Sequence, residues 1–402
     1  MSMNKTFGST LIIAGTTIGA GMLALPLASA GLGFATATLT MLGIWALMIY
    51  TALLMLEVHQ HEDHDATLHT LALKLLGRKG QIVASFAVMF LFYSLCAAYI
   101  AGGGAQLNDK LNNWMGLEIS AQASTVMFTV IFGAIVCVGT HSVDLVNRAL
   151  FTLKLVALAT MLVLLAPHVQ SVHLVEMPVQ KGLLLSALPV IFTSFGFHGS
   201  IPSIVRYVGL DMKSLRKIMI LGSATPLVIY VLWQVASQGV LSQPDLMAST
   251  TLGAFIATLS ELLHNPTVSQ SVSIFADLAL ATSFLGVSLG LFDFMADSLN
   301  RGTTGSGRLQ TALITFVPPL CFALFYPQGF ITALGFAAIA LVILAIFLPV
   351  AMVKAQRRQR PLQDDSYQVR GGSVALLAAT GAGILIISAQ FLQMAGVIPA
   401  VG

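Results

Sequence analysis

The sequence predicts an all-α integral membrane protein of eleven transmembrane helices, in which two halves repeat with opposite orientation. Three observations predict it. Of 402 residues, 56 % are apolar and only 9 % are Asp, Glu, Lys or Arg, against about 25 % charged in a soluble protein. The scarce charges leave runs of the ~20 apolar residues that cross a hydrocarbon core. Two of those runs carry matching clusters of glycine and hydroxyl residues, 177 positions apart. So few charges cannot cover a water-facing surface, which excludes a soluble multidomain enzyme. The net charge of +3 leaves no basic face for nucleic acid. Cys96, Cys137 and Cys321 lie in apolar runs and read as core thiols, not a disulfide framework.

The spans follow in order from the charge-free stretches. Lys5 to Glu57 holds two helices, divided near Gly31 and Gly33. Single helices fit Lys79–Asp109, Glu118–Asp144 and Arg148–Pro167. Two more fit Lys181–Arg206 and Lys217–Asp245, and one fits Ser271–Asp297, interrupted only by Asp277 and Asp293. Arg308–Lys354 holds two, divided at Tyr326-Pro327-Gln328-Gly329, and the stretch after Gly371 holds the last. The first run continues into a second span without a cleavage site, so it reads as a helix and not as a signal peptide. Residues 354–370 read as a polar inner loop and 241–270 as a polar outer loop, so residues 1–402 form one transmembrane domain.

Positive charge sets the orientation. With the N-terminus inside, 17 of the 19 Lys and Arg collect on one face, Arg148 and Lys154 among them. Lys110 and Lys181 remain on the other. The N-terminus is therefore expected in the cytoplasm and the C-terminus outside.

The paired clusters are Ala14-Gly15-Thr16-Thr17-Ile18-Gly19-Ala20-Gly21, followed by Pro26, and Thr193-Ser194-Phe195-Gly196-Phe197-His198-Gly199-Ser200, followed by Pro202. An odd number of spans separates them, so the halves are inverted. The pattern points to a transporter whose half-repeats each begin with a helix that unwinds at the bilayer midplane. Freed amides attract an anion and freed carbonyls a cation; together they suit a zwitterion such as an amino acid. The alternative is close helix packing through small residues, which Gly15 and Gly19 fit at spacing four, as do Gly102, Gly103 and Gly104.

The string Gly15-Thr16-Thr17-Ile18-Gly19-Ala20-Gly21-Met22-Leu23-Ala24-Leu25-Pro26 resembles the first-helix signature of the bacterial aromatic amino acid permeases. These belong to the hydroxy/aromatic amino acid permease family of the amino acid–polyamine–organocation superfamily. Residues 194–200 and 275–286, with Arg308-Leu309-Gln310-Thr311-Ala312 and Phe325-Tyr326-Pro327, look most like its tyrosine-specific branch. The resemblance spans the whole chain. It implies a five-plus-five inverted repeat of the leucine-transporter type, about 7–167 and 181–353, plus one extra C-terminal helix at about 371–396. It also implies an inner-membrane location and proton-coupled import of an aromatic amino acid, L-tyrosine, with tryptophan or broad aromatic specificity as the alternative.

Carried over residue by residue, the resemblance implies that the Gly19, Ala20 and Gly21 segment meets the substrate carboxylate through its amides. Thr17, with the carbonyls of Phe195 and Gly196 beside Ser194, then meets the ammonium. Phe195, Phe197 and Tyr99 line the ring. Burying one aromatic side chain contributes about 2–3 kcal/mol, enough for affinity but not for choice among aromatics.

Asp277 stands about one turn into a span, where a carboxylate is costly unless it faces a cavity or a partner. It is a candidate proton carrier, unless it sits at the outer interface. His198 titrates in the physiological range when unperturbed and could relay the proton or bond a phenol; otherwise it is a packing residue. Thr282 and Ser283 resemble half of a sodium site in distant relatives, completed there by first-helix carbonyls, and hydroxyl oxygens suit that hard cation. Ordinary bonding to the preceding helical turn is the plainer account. The run His59-Gln60-His61-Glu62-Asp63-His64-Asp65 offers metal-ligand types but no completing cluster, so a solvated loop is expected, with no metal or cofactor. A membrane metalloenzyme would depend on that run alone, and a channel is the remaining non-carrier class.

Overall fold

The computed structural model of the chain describes residues 3–113, 115–178, 182–299, 305–359 and 366–400. Lys181, Arg301 and Arg360, which enter the charge partition, lie outside them. Among the described residues every regular segment is helical. In chain order these are α1 (Met3–Thr17), α2 (Gly21–Ser29), α3 (Phe34–His59), α4 (Leu68–Asn113), α5 (Ala121–Val138), α6 (Thr140–Leu165), α7 (Leu183–Ser194) and α8 (Ile201–Val208). They continue as α9 (Met212–Val240), α10 (Gln243–Ala248), α11 (Leu252–Leu263), α12 (Pro266–Ser298), α13 (Gly305–Phe325), α14 (Phe330–Val342), α15 (Leu348–Gln359) and α16 (Gly372–Met394).

Ten of the described helical stretches are long and apolar enough to cross a membrane, and the pair Lys5–Thr17 and Gly21–Leu32 passes the same test only taken together, with a bend of 52° between its halves. Helices satisfy their own backbone, which is what lipid demands. The span boundaries fall where glycine and proline put them. Gly33, at φ 72°, separates α2 and its trailing turn from α3, and a Cβ there would strike the Glu176 carbonyl. The turn at residues 326–329 divides α13 from α14, as expected.

Three expectations are corrected. The helix through Lys79 begins at Leu68, spans 46 residues and bends at Gly77, with Lys74 before the bend and Arg78 and Lys79 just after it. Residues 241–270 are not an irregular loop but hold α10 and α11, each started by a side-chain cap, Ser242 on Asp245 N and Thr251 on Ala254 N. Lastly, α5 and α6 meet through Gly139 alone, so α6 starts at Thr140 and Lys154 lies inside it, 2 % exposed. Its charge does not belong to a loop.

In the packing, α9 runs beside α1 and α3, α12 lies against α4 and α6, and α14 lies against α4 and α7. The α4–α5 crossing is close because Gly104 has no side chain; a Cβ there would lie 2.7 Å from Thr125 Cα. This supports the small-residue role of that glycine run. Pro26 cannot donate to the Met22 carbonyl four residues back, and the Trp233 indole of α9 donates to it instead at 3.1 Å. At the basic end, Arg357 of α15 grips Glu57 of α3 with both ends of its fork, at 2.7 and 2.8 Å. The segment before α16 is laced to the same place: Val369 N donates to Glu57 at 2.8 Å, and Gln60 bonds both main-chain groups of Tyr367.

Candidate functional site

Both expected breaks are present and they face each other. After Thr17 the helix stops, and Ile18 N still bonds Ala14 O at 2.8 Å before Gly19 and Ala20 turn the chain into α2. After Ser194 the amides of Phe195 and Gly196 tighten onto carbonyls three residues back, each at 3.1 Å. A short turn, His198–Ser200, then leads into α8, where Pro202 occupies the first turn. Ser194 Oγ donates to Gly21 O at 3.0 Å across the gap, and a Cβ on Gly21 would lie 3.2 Å from Ser194 Cα. A glycine permits that approach without strain, whereas any Cβ would need the Ser194 backbone to give by a few tenths of an ångström.

The remaining expected residues gather around this meeting point. Ser283 Oγ accepts from Ala20 N at 3.0 Å, and a Cβ on Gly19 would fall 2.7 Å from the same oxygen. In this arrangement the Ala20 amide is occupied by Ser283. The Thr17 hydroxyl bonds its own helix, at Ile13 O. A Cβ on Gly196 would lie 3.1 Å from both Leu341 and Thr193 O. Phe195, Phe197 and Tyr99 are all buried. Phe197 packs on the His198 ring at 5.0 Å. Nε2 of His198 is hydrogen-bonded to Thr51 of α3 at 2.9 Å, while its buried Nδ1 has no hydrogen-bond partner among the described residues.

Two residues that sequence reasoning missed sit at the centre. The Tyr230 hydroxyl of α9 donates to Thr17 O at 2.6 Å and to Ser194 O at 2.7 Å, so it bridges the last carbonyls of both half-helices. Its ring meets Phe195 edge-on, centroids 5.1 Å apart. An aromatic in an apolar helix gives no signal that would single it out. The second is Lys154. Its Nζ donates to Ile18 O at 2.8 Å and to Thr282 Oγ1 at 3.3 Å, and it lies 4.7 Å from the Phe151 ring centroid. Thr282 also bonds Leu278 O of the preceding turn at 2.8 Å. The signal for Lys154 was its position six residues beyond Arg148 in an otherwise apolar run.

Asp277 is not brought to the breaks: it pairs with Lys110 of α4. Asp63, His64 and Asp65 do converge in space, but all three are exposed and Arg206 pairs with Asp65.

This arrangement defines a multi-pass helical membrane protein organised around two interrupted helices. Comparison with known families places it further: the tryptophan/tyrosine permease family matches residues 2–390, and the chain belongs to that family. It is 44 % identical to tyrosine-specific transport system 1 of Haemophilus influenzae, over 99 % of both chains. It is 42 % identical to tyrosine-specific transport system 2 of the same organism, over the full length of both. Identity to that organism's tryptophan-specific transport protein is 35 %, over 95 % of this chain and 94 % of the other. The family and these relatives are transport proteins, which points to a transporter and not to an enzyme.

Proposed function

We propose that the protein is a proton-coupled symporter that imports an aromatic amino acid, L-tyrosine, across the inner membrane. The observation that carries this reading is the meeting of the two breaks, tied by Ser194 to Gly21 and by Tyr230 to Thr17 O and Ser194 O. Half-helix ends supply amides for a carboxylate and carbonyls for an ammonium. The Gly19–Gly21 segment takes the carboxylate, the carbonyl cluster at Thr17, Phe195 and Gly196 takes the ammonium, and Phe195, Phe197 and Tyr99 take the ring. The tyrosine-specific relatives favour tyrosine over tryptophan. The unpartnered Nδ1 of His198 offers a bond to a phenol, since buried polar atoms are seldom left unpaired.

In the same reading the chain is a five-plus-five inverted repeat with α16 added, its N-terminus cytoplasmic and its C-terminus periplasmic. Proton coupling is supported by Lys154. Its ammonium stands among Ile18 O and Thr282, the oxygens that a sodium ion would need. A group that gains and loses one proton there makes and breaks the tie between the first break and α12.

Uptake of radiolabelled L-tyrosine into proteoliposomes, with proton and sodium gradients imposed separately, tests the reading. Accumulation under the proton gradient alone is expected. Accumulation driven by sodium alone would overturn the coupling, and stronger competition by tryptophan than by tyrosine would move the substrate to the tryptophan branch.

A further inference from the structure

We propose that Thr51 of α3 is a positioning residue for specificity: it fixes which ring nitrogen of His198 carries the proton, so that the site selects ligands with a hydrogen-bond donor on their ring. This rests on the binding of the substrate's phenol at His198 proposed above. Both side chains are buried, and they meet at 2.9 Å between Thr51 Oγ1 and His198 Nε2.

The donors and acceptors at hand decide the tautomer. A threonine hydroxyl is one donor, and a neutral imidazole is one donor and one acceptor, in either order. Thr51 Oγ1 also lies 3.2 Å from the carbonyl oxygens of Leu47 and Met48, four and three residues back on its own helix. Helical threonines commonly donate there, and a carbonyl can only accept. With the ring proton on Nε2, the imidazole donates to Thr51 and Thr51 donates to its helix, so both donors are used. With the proton on Nδ1, Thr51 donates to Nε2, and a buried N–H is left with no acceptor among the described residues. The first arrangement makes one more hydrogen bond. The bond at one nitrogen thus sets the state of the other, and Thr51 leaves Nδ1 as a bare lone pair. The ring is held in place from its face as well, by Phe197 with centroids 5.0 Å apart.

A bare lone pair imposes a rule on the ligand. A phenol O–H or an aniline N–H donates to it, whereas a fluorine in the same place has nothing to give. Phenylalanine leaves the nitrogen unpaired, which is the costly case for a buried polar atom. The indole N–H of tryptophan is a donor too, so this device separates tyrosine from phenylalanine and does not by itself exclude tryptophan.

The test is competition against uptake of radiolabelled L-tyrosine into proteoliposomes of the full-length protein. In the wild type, 4-aminophenylalanine is expected to outcompete 4-fluorophenylalanine at least about five-fold. Thr51→Val, which keeps the shape and removes the hydroxyl, is expected to cut that ratio at least about three-fold. Thr51→Ser, which returns the hydroxyl on a smaller side chain, is expected to restore it. Equal competition by the two analogues in the wild type overturns the donor rule without any variant, which keeps the proposal refutable if Thr51→Val does not fold. A ratio as low in Thr51→Ser as in Thr51→Val assigns the loss to packing and overturns the role of Thr51. So does a ratio unmoved in Thr51→Val while His198→Phe narrows the gap between tyrosine and phenylalanine; the phenol then stays at His198. A gap unmoved in His198→Phe takes the phenol away from that residue, and this proposal with it.

Discussion

The side-chain nitrogen of Lys154 lies 2.8 Å from the carbonyl oxygen of Ile18, the residue at which the first helix comes apart. Taking an ammonium out of water costs several kcal/mol unless its partners compensate. Here a carbonyl, a hydroxyl and a ring face do so. Lys154→Gln keeps a donor but cannot exchange a proton. It is expected to lose pH-driven accumulation by ten-fold or more in proteoliposomes while counterflow exchange of tyrosine persists. If Lys154→Gln still concentrates substrate, the proton travels elsewhere, and Asp277→Asn and His198→Gln become the variants to measure.

Gly21 has its backbone against Ser194 Cα, with 3.2 Å left for a Cβ. Gly21→Val is expected to abolish uptake while the protein still reaches the membrane, because a branched side chain holds the two breaks apart. Normal half-saturation in a membrane-inserted Gly21→Val would refute the placement of the carboxylate there.

Tyr230→Phe removes the hydroxyl between Thr17 O and Ser194 O and nothing else. Leaving buried acceptors without a donor costs about 1–3 kcal/mol. The substrate-free variant is expected to be destabilised by an energy in that range, read as a lower unfolding temperature in detergent. An unchanged Tm would show that the bridge does not tie the halves.

Tyrosine and phenylalanine differ by one hydroxyl, and a pocket that bonds it rejects the analogue by leaving its own group unpaired. His198→Phe keeps the ring and removes Nδ1. The ratio of tyrosine to phenylalanine competition constants is expected to narrow several-fold. A ratio that does not move assigns the phenol to another partner, with Thr193, Ser194 and Ser283 next to test.

At the basic end, Glu57→Gln leaves Arg357 without its counter-charge. Breaking a buried pair from one side costs about 3–5 kcal/mol. Thermal unfolding is expected to register it, whereas a silent Glu57→Gln would mean that the backbone bonds from Val369 and Gln60 suffice.

The spans and both breaks were legible because lipid leaves little latitude: charge-free runs become helices, and glycine with hydroxyl residues marks where a helix opens. Thr17, Gly19, Ala20, Gly21, Ser194 and Ser283 come together in the structure. What escaped was whatever depends on a distant partner. Asp277 looked unpaired because Lys110 is far away in the chain. Lys154 was counted with the inner-face charges because a charge normally marks the end of a span, and its compensation by Ile18 and Thr282 is visible only in three dimensions. α10 and α11 were too short to give a membrane-helix signal, although α11 is itself apolar. Trp233 replaces the donor that Pro26 lacks, and nothing in a linear string pairs them.

The Tyr230 bridge also has an arithmetic consequence. A hydroxyl owns one hydrogen, yet it stands between two carbonyl oxygens, at 2.6 and 2.7 Å. At any instant that one hydrogen serves only one of the two oxygens. An amino group arriving there brings three, and a compound that has lost its amino group brings none. In the binding mode proposed above, preference for an amine follows from counting hydrogens at two oxygens, and it needs no counter-charge nearby.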